Sequence, residues 1–412
     1  IVEFCNVKKT AGQLENFNIS VAIDKKFMEA VEHGEDYDLI NPHTKAPAGK
    51  MNARKLWDEM VKGAWETGDP GIIILDRINE TDSNVTPHVG LIESTNPCGE
   101  QPLLPFEPCN LGSINLSKFV LDDGTDMDWD RLRECTRTCV HLLDDVIDVN
   151  NYPLPEIERI AKGNRRIGLG VMGWAEALVM LKMPYNSPDA YAKGEEVMRF
   201  INDTTLEMSE ELARTRGIFP FWKGSALDPE SAHYRGRTLK PRHCARTTIA
   251  PSGTIGITAG LQGAGIEPFF AIAYTRYNAK ALEAIKAGKR PEDKDVFWEI
   301  NPLFKRIAEE NGYFDLEPKM LWEKIDKNHK SLVGIEEIPV HVQKLFLTAH
   351  DLAPDEHVRM QAAFQMHTNN AVSKTINFAN SATIEDVDHA YKLAYDLGCK
   401  GITIYRDGSK ST

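Results

Sequence analysis

The hydrophobic period changes repeatedly along the chain, and those changes predict alternating strands and helices. Phe17, Ile19, Val21 and Ile23 fall on one side of an alternating stretch, as a half-buried strand requires. Ile72, Ile73, Ile74 and Leu75 form a short apolar run after Pro70-Gly71, which suits a strand buried on both faces. Trp129, Leu132, Cys135, Cys139, Leu142, Val146 and Val149 recur at three- and four-residue spacing and predict a helix ending before Asn150-Asn151. Ser187-Pro188-Asp189 reads as a cap and first turn of a helix closing near Gly217. Asp355-Glu356 opens another helix through Gln365, and Thr383-Ile384-Glu385-Asp386 is a capping-box start for one that reaches Leu397 and stops at Gly398. Extended segments are predicted near 109–119, 165–171, 245–250, 372–378 and 401–405. The Gly-, Pro-, Arg- and His-rich stretch 224–243 reads as a loop, and the charged stretch 287–295 as an exposed connection. Strands alternating with helices imply α/β layering with parallel pairing. There is no internal repeat and no low-complexity segment.

Composition narrows the class. The 412 residues are 42% hydrophobic and 26% charged, a soluble globular balance with ample length for a core; a large α/β barrel can run this long as one domain. The net charge of −13 argues against a non-specific nucleic-acid surface but leaves room for a small anionic ligand. The cysteines are odd in number (seven), widely spaced and preceded by no secretory signal, which fits a reducing cytoplasm. No apolar run reaches the roughly 18 residues of a membrane helix. The opening Ile1-Val2-Glu3-Phe4-Cys5 reads as the inside of an element, and the polar end Asp407-Gly408-Ser409-Lys410-Ser411-Thr412 as the start of a linker, so truncation at both ends is expected.

The densest chemistry lies in Ser94-Thr95-Asn96-Pro97-Cys98-Gly99-Glu100-Gln101-Pro102-Leu103. Pro97 and Gly99 disfavour helix and suit a tight loop tip. If the loop is extended, Asn96, Cys98 and Glu100 point the same way and can face one ligand. Cys109 follows in Pro108-Cys109-Asn110-Leu111-Gly112-Ser113-Ile114-Asn115-Leu116, where a buried small hydrophobe and a reactive thiol are both open readings. In Thr247-Thr248-Ile249-Ala250-Pro251-Ser252-Gly253-Thr254-Ile255-Gly256 an extended stretch runs into small residues whose exposed N–H groups could cradle a phosphate; an ordinary turn is the stronger reading of that segment alone. Cys135 and Cys139 sit on the apolar helix stripe and read as core packing. Cys5, Cys244 and Cys399 read as structural, and His233 and His243 as solvated loop residues. No His/Cys spacing makes a zinc site.

The run Asn-Pro-Cys-Gly-Glu-Gln-Pro-Leu at 96–103 and Cys-Asn-Leu-Gly-Ser-Ile-Asn-Leu at 109–116 resembles the finger loop and following strand of ribonucleotide reductase large subunits. Segments 165–173, 265–268, 370–377 and 399–406 match the family in order, so the resemblance covers nearly the whole chain. It implies a ten-stranded α/β barrel of two five-stranded halves with an internal finger loop, incomplete here, with 1–412 as a single catalytic barrel domain. It further implies that Cys98 is the thiyl radical site, Glu100 the base on the 3′-hydroxyl, Asn96 a substrate-orienting group and Cys109 one of two reducing thiols. Pro251, Ser252, Gly253, Thr254 and Ile255 would bind the substrate's phosphates. In class I enzymes of the family the last strand carries two adjacent tyrosines; here Ile404 and Tyr405 break the pair, which with the Asn-Pro-Cys-Gly-Glu-Gln wording points to class II and adenosylcobalamin. Diphosphate substrates, a thioredoxin-like dithiol reductant and a homodimer are the implied partners. The second reducing cysteine is expected upstream of residue 1 and the re-reducing tail after Thr412, so the chain alone should not turn over. Two other readings stand beside this one: a class I large subunit with a separate radical subunit, and a non-catalytic nucleotide-binding relic. A cysteine hydrolase is disfavoured, because no histidine accompanies Cys98 in its motif.

Overall fold

The computed structural model describes residues 1–10, 13, 14, 16–313 and 317–409. Lys410, Ser411 and Thr412, the end of the expected linker, lie outside them. Seven extended segments form one run. Asn110–Asn115 pairs parallel with Ile167–Met172, which touches the next segment through the parallel bridge Leu169 to Thr247. Ile249 bridges in parallel to Val372, just before the strand Thr375–Phe378, and that strand pairs parallel with Gly401–Arg406. Five parallel segments thus follow one another, the third held by single bridges rather than a ladder. Gly401–Arg406 then pairs antiparallel with Gly71–Ile74, whose other side carries the parallel strand Ser20–Ile23. The direction reverses at one place only, as where one half-barrel meets the next. The run does not close among the described residues: Ser20–Ile23 and Asn110–Asn115 are its free edges.

Close packing within the run demands glycine. A Cβ on Gly170 would meet the Thr248 carbonyl oxygen at 2.0 Å, and one on Gly168 would meet the Gln101 amide at 2.5 Å. The expected strand at the first apolar stretch is shorter than its pattern: Ile19, Val21 and Ile23 are buried, but Phe17 sits in a turn and is 62% exposed. Leu75 is likewise not strand but the first residue of the helix Leu75–Glu80.

The helices behind the strands follow their local signals closely. Trp129–Val149 ends where predicted. Pro188–Arg216 opens with the Ser187 side chain accepting from the Ala190 N–H. Pro354–Gln365 begins one residue early, and Ile384–Asp396 carries the expected capping box from Thr383 and Asp386. The predicted face of Trp129–Val149 is wrong by about one residue. Leu132, Thr136, Val140, Leu143, Asp144 and Ile147 are buried, whereas Leu142 and Val149 are 61% and 80% exposed. Cys135 and Cys139 stay half-buried at the edge of the core, consistent with packing.

That rotation turns Asp144 inward, into a buried ionic framework. Its Oδ1 accepts from Arg165 at 2.6 Å, Arg242 at 3.2 Å and His243 Nε2 at 3.0 Å, and its Oδ2 accepts from Arg216 at 2.8 Å. His243 is fully buried, not solvated, because Ser209 Oγ takes its Nδ1 at 2.8 Å while Asp144 takes the other nitrogen. Burial pushes its imidazole down to about 4 against the opposing pull of Asp144. Ser209, His243 and Asp144 mimic a hydrolytic triad, but all three are closed off from solvent, so no substrate reaches the hydroxyl. His233 is exposed, as expected. Among the described residues no helix is long and apolar enough to cross a membrane.

Candidate functional site

The Cys98 loop is a tight hairpin. Ser94–Thr95 pairs antiparallel with Pro102–Leu103, and the Gly99 N–H closes the turn on the Asn96 carbonyl at 3.1 Å. Gly99 takes φ +81°, a conformation that favours glycine. The extended reading of 96–100 therefore fails. Pro97 and Cys98 occupy the turn, Cys98 is exposed, and Glu100 is buried with 3% exposure. Asn96 is half-buried, and its Oδ1 accepts from the Gln101 N–H at 3.0 Å, so the turn itself uses that atom. Burial and the nearby Glu100 carboxylate both raise the Cys98 thiol above its ordinary range. Glu100 Oε2 is buried with no hydrogen-bond partner. Its backbone carbonyl, in contrast, accepts from Thr248 Oγ1 at 2.8 Å and the Ala371 N–H at 3.0 Å. Those two bonds fix the hairpin to the middle of the strand run.

The same bonds bring the hairpin beside the second motif. Cys98, Pro97, Pro251 and Gly253 line one cavity of about 360 Å³. Ser252 bends the chain there: its φ is +56°, its side chain is buried, and its Oγ donates to Ser113 Oγ at 3.0 Å. Gly253 opens the short helix Gly253–Thr258, with Thr254 and Ile255 exposed in its first turn. First-turn N–H groups have no partner inside a helix. The structure thus places Cys98, Pro251 and Gly253 together, with Ser252, Thr254 and Ile255 beside them.

Three residues outside the two motifs also line this cavity: Glu267, Lys374 and Thr403. Lys374 Nζ donates to Glu267 Oε2 at 2.5 Å and to His357 Nδ1 at 3.0 Å. Burial lowers the Lys374 ammonium, and Glu267 opposes that shift. A charged residue inside the apolar run Ala371-Val372-Ser373-Lys374-Thr375-Ile376 was the available signal. Thr403 faces the cavity from the last strand while Ile404 is buried in the core, so Ile404 and Tyr405 sit on opposite strand faces. A cavity of about 370 Å³ under the hairpin Asp36–Asn52, lined by Val21, Phe27, Tyr37 and Leu56, carries no thiol.

Cys109 is not brought to the Cys98 cavity. It lies at the start of Asn110–Asn115 and lines a separate cavity of about 90 Å³ with Arg166. Burial, and then the neighbouring Glu107, Cys244 and Glu100, push its thiol well above the ordinary range, while Arg166 pulls it back. All seven cysteines are free.

Comparison with known proteins agrees in extent. The family model for the ribonucleotide reductase barrel domain matches residues 1–405. The vitamin B12-dependent ribonucleoside-diphosphate reductase of Thermoplasma acidophilum is 45% identical over 412 residues, covering 100% of this chain and 50% of that protein. The protein of the same name from Mycobacterium tuberculosis (strain CDC 1551 / Oshkosh) is 42% identical over 411 residues and is covered to 55%. The chain therefore spans about half the length of these curated relatives. Among solved structures, the Actinobacillus ureae class Id ribonucleotide reductase alpha subunit superposes with a TM-score of 0.75 at 21% identity, over 98% of this chain and 68% of that one. At that identity the likeness speaks for the fold.

Proposed function

From the premise that the chain belongs to the ribonucleotide reductase barrel-domain family, we propose that, within its full-length protein, it reduces ribonucleoside diphosphates to 2′-deoxyribonucleoside diphosphates by thiyl-radical chemistry. One observation carries the reading. An exposed cysteine shares a cavity with the Pro251–Gly253 bend, and two residues on, outside that cavity's lining, Glu100 holds a buried carboxylate oxygen that none of the described residues satisfies. A buried acceptor left unpaired is costly, about 1–3 kcal/mol. A substrate hydroxyl is the natural donor for it.

The roles follow from placement. Cys98, at a tip held by backbone hydrogen bonds, removes the hydrogen atom from C3′, a step that depends on position more than on acidity. Glu100 accepts the 3′-hydroxyl proton. The 2′-hydroxyl leaves as water, and two thiols become one disulfide, so the two electrons gained by the ribose come from sulfur. Cys109 is one of those thiols; the other comes from a cysteine the resemblance places upstream of residue 1. Asn96 keeps its Nδ2 for the substrate, because Oδ1 serves the turn. Gly253, Thr254 and Ile255 hold the phosphates on first-turn N–H groups, and Pro251 and Ser252 form the bend that presents them.

Adenosylcobalamin is the radical source in this reading. Cys98 is exposed, so its sulfur is open to a group arriving from outside, and no tyrosine pair leads to it along the last strand. When bound, that cofactor supplies the one-electron chemistry that converts the Cys98 thiol to a thiyl radical. None of the residues described here is assigned as a cobalamin ligand. A thioredoxin-like dithiol restores the thiols, a homodimer is the expected assembly, and the free cysteines suit the cytoplasm.

The test is CDP reduction by the protein at its full encoded length, with adenosylcobalamin and a dithiol, beside Cys98→Ala. Cobalamin-dependent dCDP that disappears in the variant is the expected result. Product that needs an added metal-radical subunit instead would move the protein to class I.

A further inference from the structure

The small cavity beside Cys109 is lined by an arginine with an unpaired donor. Arg166 is among the most deeply buried side chains, with 2% residue exposure. Its Nε donates to Glu107 Oε1 at 2.9 Å, and its Nη1 donates to the Ser83 carbonyl at 2.8 Å and Asn370 Oδ1 at 2.6 Å. Its Nη2 is buried and has no partner among the described residues. Asn110, which lines the same cavity, donates Nδ2 to the Leu143 carbonyl at 2.8 Å and leaves Oδ1 buried and unpaired. Three of the five Arg166 N–H groups are thus anchored from different segments, and the other two, on Nη2, belong to a side chain that shares about 90 Å³ of space with one thiol.

We infer that Arg166 is a positioning residue for disulfide exchange at Cys109, its free Nη2 holding the negative charge on that sulfur. The inference rests on reading Cys109 as a reducing thiol. In exchange with an external dithiol one S–S bond breaks as another forms, and each sulfur that attacks or leaves does so as a thiolate. Burial alone makes a Cys109 thiolate unfavourable, and the carboxylates of Glu107 and Glu100 and the thiol of Cys244 add to that. Arg166 is the opposing charge. Lys400 shares Ser83 with Arg166 but is turned to the carbonyls of Thr368, Asn369 and Asn370. A guanidinium held rigidly on three sides can answer a transient anion without reorganising.

The test is the pH profile of iodoacetamide alkylation of Cys109 in the full chain, read by peptide mass spectrometry, with exposed Cys98 as the internal control. Arg166→Gln should slow Cys109 alkylation about tenfold at a given pH, one pK unit's worth for a lost neighbouring cation. Glu107→Gln should speed it. Opposite signs identify the charge, because mere loosening of the cavity would expose the thiol and speed both. An unmoved profile in Arg166→Gln, or acceleration in both variants, overturns the inference. Cys109→Ser tests the underlying reading separately: if CDP reduction with a dithiol survives it, Cys109 is not a reducing thiol, whatever the alkylation profile shows.

Discussion

The rim around Cys98 and the framework around Asp144 are built in opposite ways. At the rim the backbone is tied at several points: Asn96 pairs with Gln101, Gly99 closes on Asn96, and the Glu100 carbonyl is held by Thr248 and Ala371. The functional atoms are left unanswered, with Cys98 exposed and Glu100 Oε2 without a donor. In the framework the side chains answer one another, four cationic or neutral donors converging on one carboxylate. The difference separates two uses of polar groups in one interior. In the framework the carboxylate's partners come from the chain itself; at the rim a buried carboxylate oxygen stays open to a partner from outside.

The sharpest way to break the comparison is to cut each region at its centre. Cys98→Ala should abolish dCDP formation while leaving the urea unfolding free energy within about 0.5 kcal/mol, as for other exposed substitutions. Asp144→Asn should do the reverse in kind. Removing one member of a buried ion cluster leaves the remaining charges uncompensated and costs about 3–5 kcal/mol. Urea denaturation of the two variants decides it. A Cys98→Ala protein that unfolds as easily as Asp144→Asn would mean that the turn is held by its side chain after all.

A smaller effect follows from pH. Burial pushes the His243 imidazole down to about 4, below its unfolded value near 6.5. Between those values the unfolded chain takes up a proton that the folded chain refuses, so stability falls as pH drops from about 6.5 to about 4. The loss should be roughly 1–3 kcal/mol. Asp144 adds to it only at lower pH: burial raises its carboxyl, but the bonds from His243 and Arg165 outweigh burial and hold it well below the usual carboxylate range. Unfolding free energies measured across this window should slope for the parent chain and flatten for His243→Asn. A flat parent would remove His243 from the framework.

The sequence was legible where structure is local. Ser187 and Thr383 cap helices with their own side chains, and the Pro97-Cys98-Gly99 turn is written in three residues. The Cys98 motif marks a local hairpin, whereas Cys109 lines a separate cavity that the spacing of the two motifs does not foretell. Segment 245–250 looked like a strand yet is held by single bridges, because its pairing depends on partners far along the chain. Lys374 and Arg166 carry no role in the sequence alone, since neither local segment says anything of the distant Glu267 or Cys109 that gives each cation meaning. His243 was misplaced because a polar loop composition conceals that one of its histidines is drawn inside by Asp144.

The helix Trp129–Val149 provides the last and smallest test. Its apolar spacing admitted two faces one residue apart, and the one containing Leu142 was the wrong one. The true face includes Leu143 and, through the same rotation, delivers Asp144 to Arg165 and His243. Leu142→Ala should therefore change the unfolding free energy by no more than about 0.5 kcal/mol, whereas Leu143→Ala, 5% exposed in the core, should cost about 2–5 kcal/mol. If Leu142→Ala proves the costlier of the two, the helix is rotated from the position described. Asp144 would then face solvent, and the contrast between a satisfied framework and an unsatisfied rim would lose its first term.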